Sequence, residues 1–258
     1  MKTQPLHEIC CCCAVRARCI FAEVGEEVLV GRARWVRYAE RDTIFHQGEP
    51  AFGLYIIYQG QAMLFKRALH GQRRILEIVG PAGVLGTEAL IPDSEYAVSA
   101  QTLSAAQVLF ISRAEMQLLL EIPSVRQRLW ERMLQRLHHA EELLLEARYL
   151  GAGERLARLL LRLAHEHGTP QRNGQLLLDL GLTQAELGEM VSLSREAVSK
   201  YLNSFKDQRL IEFCGRKLLI DPLAFRRLLH QADEPSFDTD LHQFCRVNRF
   251  TLSERSSC

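Results

Sequence analysis

The chain has 258 residues, 47% hydrophobic and 24% charged, with a formal net charge of +1. This is globular composition with length for two domains, and it excludes nucleic-acid attraction through a global basic field, so any such affinity needs a local basic face. Residues 1–9 lack the apolar core of a signal peptide and no apolar run is long enough to cross a membrane, so the expected setting is a reducing cytoplasm.

Residues 1–20 read as a sensor arm. Five of the eight cysteines fall here: Cys10, Cys11, Cys12, Cys13 and Cys19. Cys10, Cys13 and Cys19 have the spacing C-x2-C-x5-C. Clustered thiols in a reducing compartment more often bind metal or sense redox state than form disulfides. The plain alternative is an accidental cysteine-rich tail. Arg16 and Arg18 would favour thiolate chemistry nearby.

Residues 21–122 form the next unit, with a β pattern from about residue 34 to 112. Short apolar strings at 44–45, 54–57, 63–65, 75–78, 84–85 and 108–111 are punctuated by glycines such as Gly48, Gly60, Gly71 and Gly86. Such spacing predicts an antiparallel roll or barrel. Residues 123–150 follow as one long-helix unit, with Ser124 as the expected N-cap and a helix over 124–149 of about 39 Å. Val125, Leu129, Met133, Leu137, Ala140, Leu144 and Ala147 make its apolar stripe. The stripe is narrow and flanked by arginines, which predicts a dimer seam (Leu129, Met133, Leu137, Ala140, Glu142, Leu144) rather than a core helix of one domain.

Residues 151–230 carry the DNA-reading pattern. Gly151 and Gly153 read as a hinge, 154–167 as a helix and 176–180 as a strand. Thr183-Gln184-Ala185-Glu186 is a capping box that starts a short helix. A tight turn follows at 191–193, and Ser194 caps a second helix over 195–205. Leu187, Val191, Val198 and Leu202 would pack the two together, as in a helix-turn-helix. Strands at 210–214 and 217–220 around Gly215 make a wing.

The outer face of the second helix carries Arg195, Glu196, Ser199 and Lys200. Arg195 or Lys200 can donate to guanine, Glu196 can accept from cytosine, and Ser199 suits either base edge. Thr183, Gln184, Arg209, Arg216 and Lys217 are candidate phosphate contacts. Between 194 and 230, eight Lys/Arg face four Asp/Glu, so the module is locally basic. Residues 231–258 are a polar tail in which Phe237, Phe244 and Phe250 could act as anchors.

These elements together resemble the CRP/FNR family of transcription regulators over roughly residues 30–230. The run "FHQGEPAFGLYIIYQGQAMLF" is similar to the family's β-roll, and "LTQAELGEMVSLSREAVSKYLNSFKDQRLI" to its helix-turn-helix. The resemblance implies an α+β architecture: a cyclic-nucleotide-binding-type β-roll, a long dimerisation helix and a C-terminal winged helix-turn-helix. It also implies a non-enzymatic homodimer that acts on near-palindromic duplex DNA with RNA polymerase.

The cAMP-binding branch needs an acidic residue for the ribose and an Arg-Ser pair for the phosphate. Those positions fall at Thr87, Tyr96 and Ala97, so cAMP is not expected; Glu88 is one place away. The FNR branch carries an arm spaced as Cys10, Cys13 and Cys19, which implies an iron–sulfur cluster, 4Fe–4S, sensitive to oxygen. Its fourth cysteine would lie near Leu109, which leaves the fourth ligand open among Cys11, Cys12, Cys214, Cys245, Cys258 or another side chain. A smaller cluster, a metal-free thiol switch, or haem on His46 or His70 are the alternatives. A thiol oxidoreductase built on Cys10 and Cys13 lacks a thioredoxin-like context. In the cluster reading, ordering of the arm changes how the long helix pairs, with Glu142 carboxylates repelling across the seam. Glu196 with Ser199 is similar to the FNR reader, which implies a TTGAT-like half-site, whereas Arg195 is nearer the CRP reader.

Overall fold

The computed structural model describes residues 15–67 and 71–232. Cys10, Cys11, Cys12, Cys13, His70, Cys245, Cys258 and the three tail phenylalanines lie outside the described residues.

Two 3-10 turns, Arg16–Arg18 and Glu26–Val28, precede the first strand. The segment is no loose tail. Ile20, Phe21, Val24 and Leu29 are buried in the core of the following sheets.

The roll has eight strands: β1 (Ala33–Tyr38), β2 (Thr43–Phe45), β3 (Gly53–Gln59), β4 (Ala62–Arg67), β5 (Arg73–Val79), β6 (Val84–Leu85), β7 (Ser99–Thr102) and β8 (Ala106–Ser112). They form two antiparallel sheets, ordered β1-β8-β3-β6 and β2-β7-β4-β5. Strands β3 and β8 are nearly continuous apolar runs because both lie at the centre of a sheet, facing the core. Two strands carry no such signal. β1 reads ARWVRY and is half-exposed, and β7 reads SAQT with small polar residues. Gly60 makes the β3–β4 turn at φ +87°, where a Cβ would sit 2.5 Å from the Ala105 carbonyl. No side chain fits there.

Helix α1 (Arg113–Leu119) is capped by Ser112, whose hydroxyl accepts from the Glu115 N–H. The sequence pattern did not mark it. Helix α2 (Pro123–Tyr149) spans 27 residues. Its non-helical cap is Ile122, two residues before the expected Ser124, with Pro123 at the first helical position. Proline suits that position because its missing N–H has no intrahelical partner to lose. Ser124 is therefore not the cap.

Two rows of α2 differ in environment. Val125 and Leu129 are 0% and 1% exposed and belong to the core of the roll. Leu129, expected in the dimer seam, is thus an intrachain core residue. Its row continues through Arg132, Arg136, His139 and Leu143, all half-buried. The neighbouring row runs Trp130, Met133, Leu137, Ala140, Leu144 and Ala147, all exposed. The expected stripe joined the start of the first row to the rest of the second.

The C-terminal module comprises α3 (Ala152–His167), β9 (Thr169–Pro170), β10 (Leu176–Leu178), α4 (Gln184–Val191), α5 (Arg195–Asp207), β11 (Ile211–Cys214), β12 (Lys217–Ile220) and α6 (Pro222–Ala232). Its sheet is ordered β11-β12-β10-β9. Leu160, Leu187, Val198, Leu202, Phe205 and Phe225 are buried together. Met63, Phe65, Ile75, Ile78 and Leu103 of the roll join the same cluster, so this core spans the two units. α6 was not marked in the sequence, although Phe225 is fully buried. Among the described residues no helix is long and apolar enough to cross a membrane.

Candidate nucleic-acid interface and sensor arm

Local chemistry builds the reading module. The Thr183 hydroxyl accepts from the Glu186 N–H at 3.1 Å, and the Thr183 N–H donates to Glu186 Oε2 at 2.8 Å. This closed capping box satisfies two groups at the start of α4. α4 ends on Ser192 at φ +60°, and the Leu193 N–H returns to the Gly188 carbonyl at 2.9 Å. A Cβ on Gly188 would lie 2.4 Å from the Leu193 carbonyl oxygen, so the turn closes this tightly only on glycine. Ser194 Oγ then accepts from the Ala197 N–H at 3.2 Å and starts α5. Leu187, Val191, Val198 and Leu202 are all buried, which fixes α5 against α4.

The structure places Arg195, Glu196, Ser199 and Lys200 on α5, with Arg195, Glu196 and Lys200 exposed and Ser199 half-buried. Thr183 and Ser194 are exposed caps, and Gln184 is half-buried. Hydrogen bonds from its own N–H and from Ser194 hold the Glu196 carboxyl below the usual range. It is therefore an acceptor at neutral pH, as contact with a cytosine amino group needs. Lys217 is committed to Asp179 at 2.7 Å in an exposed pair.

Glu186 links the module to the roll. Its carboxylate is 2.6 Å from Arg41 and 3.4 Å from Arg73, while Arg73 also holds Glu189 at 2.7 Å. Burial alone would raise the Glu186 pKa. The Thr183 hydrogen bonds and the Arg41 guanidinium outweigh burial and bring it below the usual value.

One of the positions that the resemblance matches to a cyclic-nucleotide site holds a buried aromatic ring. Tyr96 is 3% exposed, stacks on Phe45 with ring centres 4.0 Å apart, and donates its hydroxyl to the Gly53 carbonyl at 2.8 Å. Burial raises its pKa, so it stays a neutral phenol. Glu88 accepts from the Ala97 N–H at 3.2 Å, and Thr87 begins a short 3-10 turn. None of these three positions offers a cation to a phosphate.

Cys19 is half-buried and packs against the core of the roll. It lines a mostly apolar cavity of about 50 Å³ together with Trp35, Ile56, Tyr58 and Leu109. Cys19 and Leu109 thus meet across one space, although 90 positions apart in the chain. Among the described residues no three His, Cys, Asp or Glu side chains are arranged to hold a metal ion. His46 is exposed and Cys214 is exposed on the wing, with neither near Cys19 in the cavity lining.

The arm is tied to α2. Arg128 donates to the Ala17 carbonyl at 3.1 Å and pairs with Glu23 at 2.7 Å, and Arg132 donates to the Arg18 carbonyl. Further along, Arg136 pairs with Glu77 of β5 at 2.9 Å. On the outer row, Met133, Leu137 and Leu144 are 46%, 53% and 72% exposed, and Ala140 and Glu142 are also exposed. Trp130, Leu134, Leu145 and Tyr149 extend this apolar face and were missed, because the expected stripe drifted onto it only after Leu129. Counting both rows from Trp130 would have found them.

Comparison with known proteins agrees with this architecture. Residues 35–122 match the cyclic nucleotide-binding domain family, and residues 154–228 match the Crp-like helix-turn-helix domain family. A CRP-like cAMP-activated global transcriptional regulator of Mycobacterium tuberculosis is 30% identical over 186 residues, covering 72% of this chain and 83% of that protein. The cAMP-activated global transcriptional regulator CRP of Salmonella typhimurium is 27% identical over 186 residues, covering 71% and 88%. FixK2 from Bradyrhizobium japonicum shares the fold, with a TM-score of 0.69 at 23% identity over 80% of this chain and 99% of that one. A CooA mutant from Carboxydothermus hydrogenoformans does so at 0.66 and 20% identity, covering 80% and 92%. With its roll, long helix and winged helix-turn-helix, the chain belongs to the CRP/FNR family of DNA-binding transcription regulators.

Proposed function

We propose that this regulator couples DNA binding to the chemical state of its cysteine arm, and that cAMP is not its effector. The observation that carries the reading is the pair of hydrogen bonds from Arg128 and Arg132 to the carbonyls of Ala17 and Arg18, next to Cys19. A change at Cys19 reaches α2 through two side chains. The outer row of α2 is the dimer seam, and dimerisation brings two α5 helices to half-sites about 34 Å apart. Arg195, Glu196, Ser199 and Lys200 read bases while Thr183, Gln184 and Ser194 lie at the phosphate backbone. Such a promoter-bound dimer works with RNA polymerase in the cytoplasm.

Cys10, Cys13 and Cys19 would hold an iron–sulfur cluster, with the fourth ligand unassigned. The described residues fit the group in part: Cys19 supplies a thiol at the cavity wall, and Leu109 beside it supplies no ligand. When bound, the cluster supplies oxygen- or redox-dependent loss of thiolate ligation. The apolar Leu109 also favours a second reading, a thiol switch at the same arm without metal. Against cAMP stand the buried Tyr96 and the uncharged Ala97 at the two positions that the resemblance matches to the cyclic phosphate.

Iron and sulfide content, visible absorption and sedimentation of anaerobically purified protein test the reading, before and after air and with Cys19→Ser. A cluster shows as iron with a broad band that bleaches in air as dimer is lost. Air-dependent dissociation without iron supports the thiol switch. DNA binding and sedimentation indifferent to air and to Cys19→Ser would overturn both. A cAMP-dependent rise in DNA affinity would overturn the exclusion of cAMP.

A further inference from the structure

The roll does more than sit beside the DNA-reading module. Arg73 of β5 grips Glu189 of α4 with two nitrogens, at 2.7 and 3.3 Å to the two carboxylate oxygens, and reaches Glu186 at 3.4 Å. Its guanidinium lies over the Phe65 ring, 5.4 Å from the centroid. Arg41, in the β1–β2 turn, holds Glu186 at 2.6 Å and the Gly181 carbonyl at 2.8 Å. The contacts to Glu186 and Glu189 are part-buried, charge-assisted and partly bidentate, a stronger class than exposed surface pairs.

The Arg41 turn is itself fixed. Arg41 has φ +66°, a conformation that costs energy for a residue with a Cβ. Hydrogen bonds from the Arg41 N–H to the Thr102 carbonyl, 3.1 Å, and from Gln101 to the Arg41 carbonyl, 2.9 Å, hold it there. Beneath the polar contacts, Phe65, Ile75 and Ile78 of the roll share one apolar cluster with Leu187 and Leu160 of the module. The joint is therefore both packed and oriented. It grips α4 at Glu186 and Glu189, within two turns of Thr183, and leaves Arg195, Glu196 and Lys200 exposed.

We propose that Arg41 and Arg73 are positioning residues for DNA binding. They clamp α4 to the roll of the same chain and so set the direction in which α5 points. In a dimer the spacing of two reading helices must match one turn of DNA. A module free to swing meets that spacing only part of the time, and apparent affinity falls in proportion to the competent fraction. The clamp rests on DNA binding alone and not on the cysteine arm, so the iron content of the protein does not enter the test.

The test uses the full chain and a duplex selected from a random library by the wild-type protein, with binding read by fluorescence anisotropy. Glu189→Arg separates the clamp from simple electrostatics. The substitution adds positive charge to the DNA-binding module, which by itself tightens binding to phosphate. Loss of the clamp instead weakens binding, by about fivefold. The swap Arg73→Glu with Glu189→Arg restores the pair with its polarity reversed but loses the Arg73 contact to Glu186, so it returns part of the affinity lost by either single variant. Glu189→Gln removes the charge without a new repulsion and weakens binding as well, which keeps the test open if Glu189→Arg fails to fold. Far-UV circular dichroism checks that each variant is folded. Tighter binding by Glu189→Arg overturns the proposal. So does unchanged binding by Glu189→Gln, or a swap no better than the single variants.

Discussion

The two faces of α2 lie side by side on one helix and meet different surroundings. The inner row, Val125, Leu129, Arg132, Arg136, His139 and Leu143, starts in the core of the roll and becomes polar as it passes β5 and α3. Arg132 reaches the arm and Arg136 reaches Glu77. The outer row, Trp130 to Ala147, alternates spacings of three and four residues and is exposed along its whole length within one chain. That alternation is the heptad pattern of a helix–helix seam. One face thus carries the contacts to residues 17–23 and to β5, and the other is exposed apolar surface, the seam of the proposed dimer. Because both sit on one continuous helix, the proposed coupling from arm to seam needs no intervening joint.

The sharpest way to break this contrast is to replace one residue in each row. Leu129→Ala should cost about 3 kcal/mol of protomer stability, since it empties a fully buried site that cannot collapse freely. Urea unfolding measures it. Leu137→Glu, one row away, should leave helical content by circular dichroism intact, yet shift sedimentation to monomer and weaken DNA binding at least about tenfold through the loss of paired contacts. If Leu129→Ala acts mainly on dimerisation, or Leu137→Glu unfolds the protomer, the two faces are not what they are taken to be.

A smaller effect lies in the polar half of the inner row. Burial, with help from the Arg162 guanidinium, pushes His139 down to about 4. The folded state therefore binds this proton more weakly than the unfolded chain, whose histidines titrate near ~6.5. Stability should be unaffected above about pH 7.5 and fall as pH drops through 6.5 toward 4, by about 1–2 kcal/mol at pH 5. In His139→Gln that part of the acid sensitivity should vanish in unfolding curves at the two pH values. The smallest effect is expected from Arg128→Ala, an exposed contact worth at most about 1 kcal/mol. Its readout is hydrogen exchange at residues 17–19, which should quicken. Unchanged protection there would mean that Arg128 does not hold the arm.

Much of the fold was legible in the chain. The order of roll, long helix and winged helix-turn-helix followed from short apolar strings, one long helical repeat and two caps in succession. The helix-turn-helix was readable nearly to the residue because its determinants are local: the Thr183–Glu186 box, the turn at Gly188 and the Ser194 cap lie within a dozen positions. Strands β1 and β7 and helices α1 and α6 were not. β1 and β7 owe their place to neighbouring strands rather than to their own side chains, and α1 has only seven residues, whereas α6 carries a local mark that was missed, the Asp221 cap followed by Pro222.

The stripe on α2 shows where periodicity stops. A spacing of four from Leu129 to Met133 is helical, so the two residues read as one face, yet Leu129 is in the core and Met133 is 46% exposed. A 3.6-residue repeat cannot say which row meets a domain of the same chain.

What the sequence by itself determined is the identity of the parts: a reader with a polar outer face, a helix with enough apolar residues for a seam, a thiol-rich arm, and a roll that, by its resemblance, holds Thr87 at the ribose position and Tyr96 and Ala97 at the phosphate positions. Tertiary structure alone decided how they meet. Cys19 faces the same cavity as Leu109, and Arg41 and Arg73 close on Glu186 and Glu189 across more than 100 positions of chain. Local patterns are written by interactions a few residues apart and leave a period or a cap to read. Contacts between distant segments depend on how whole sheets and helices pack, and leave no such mark.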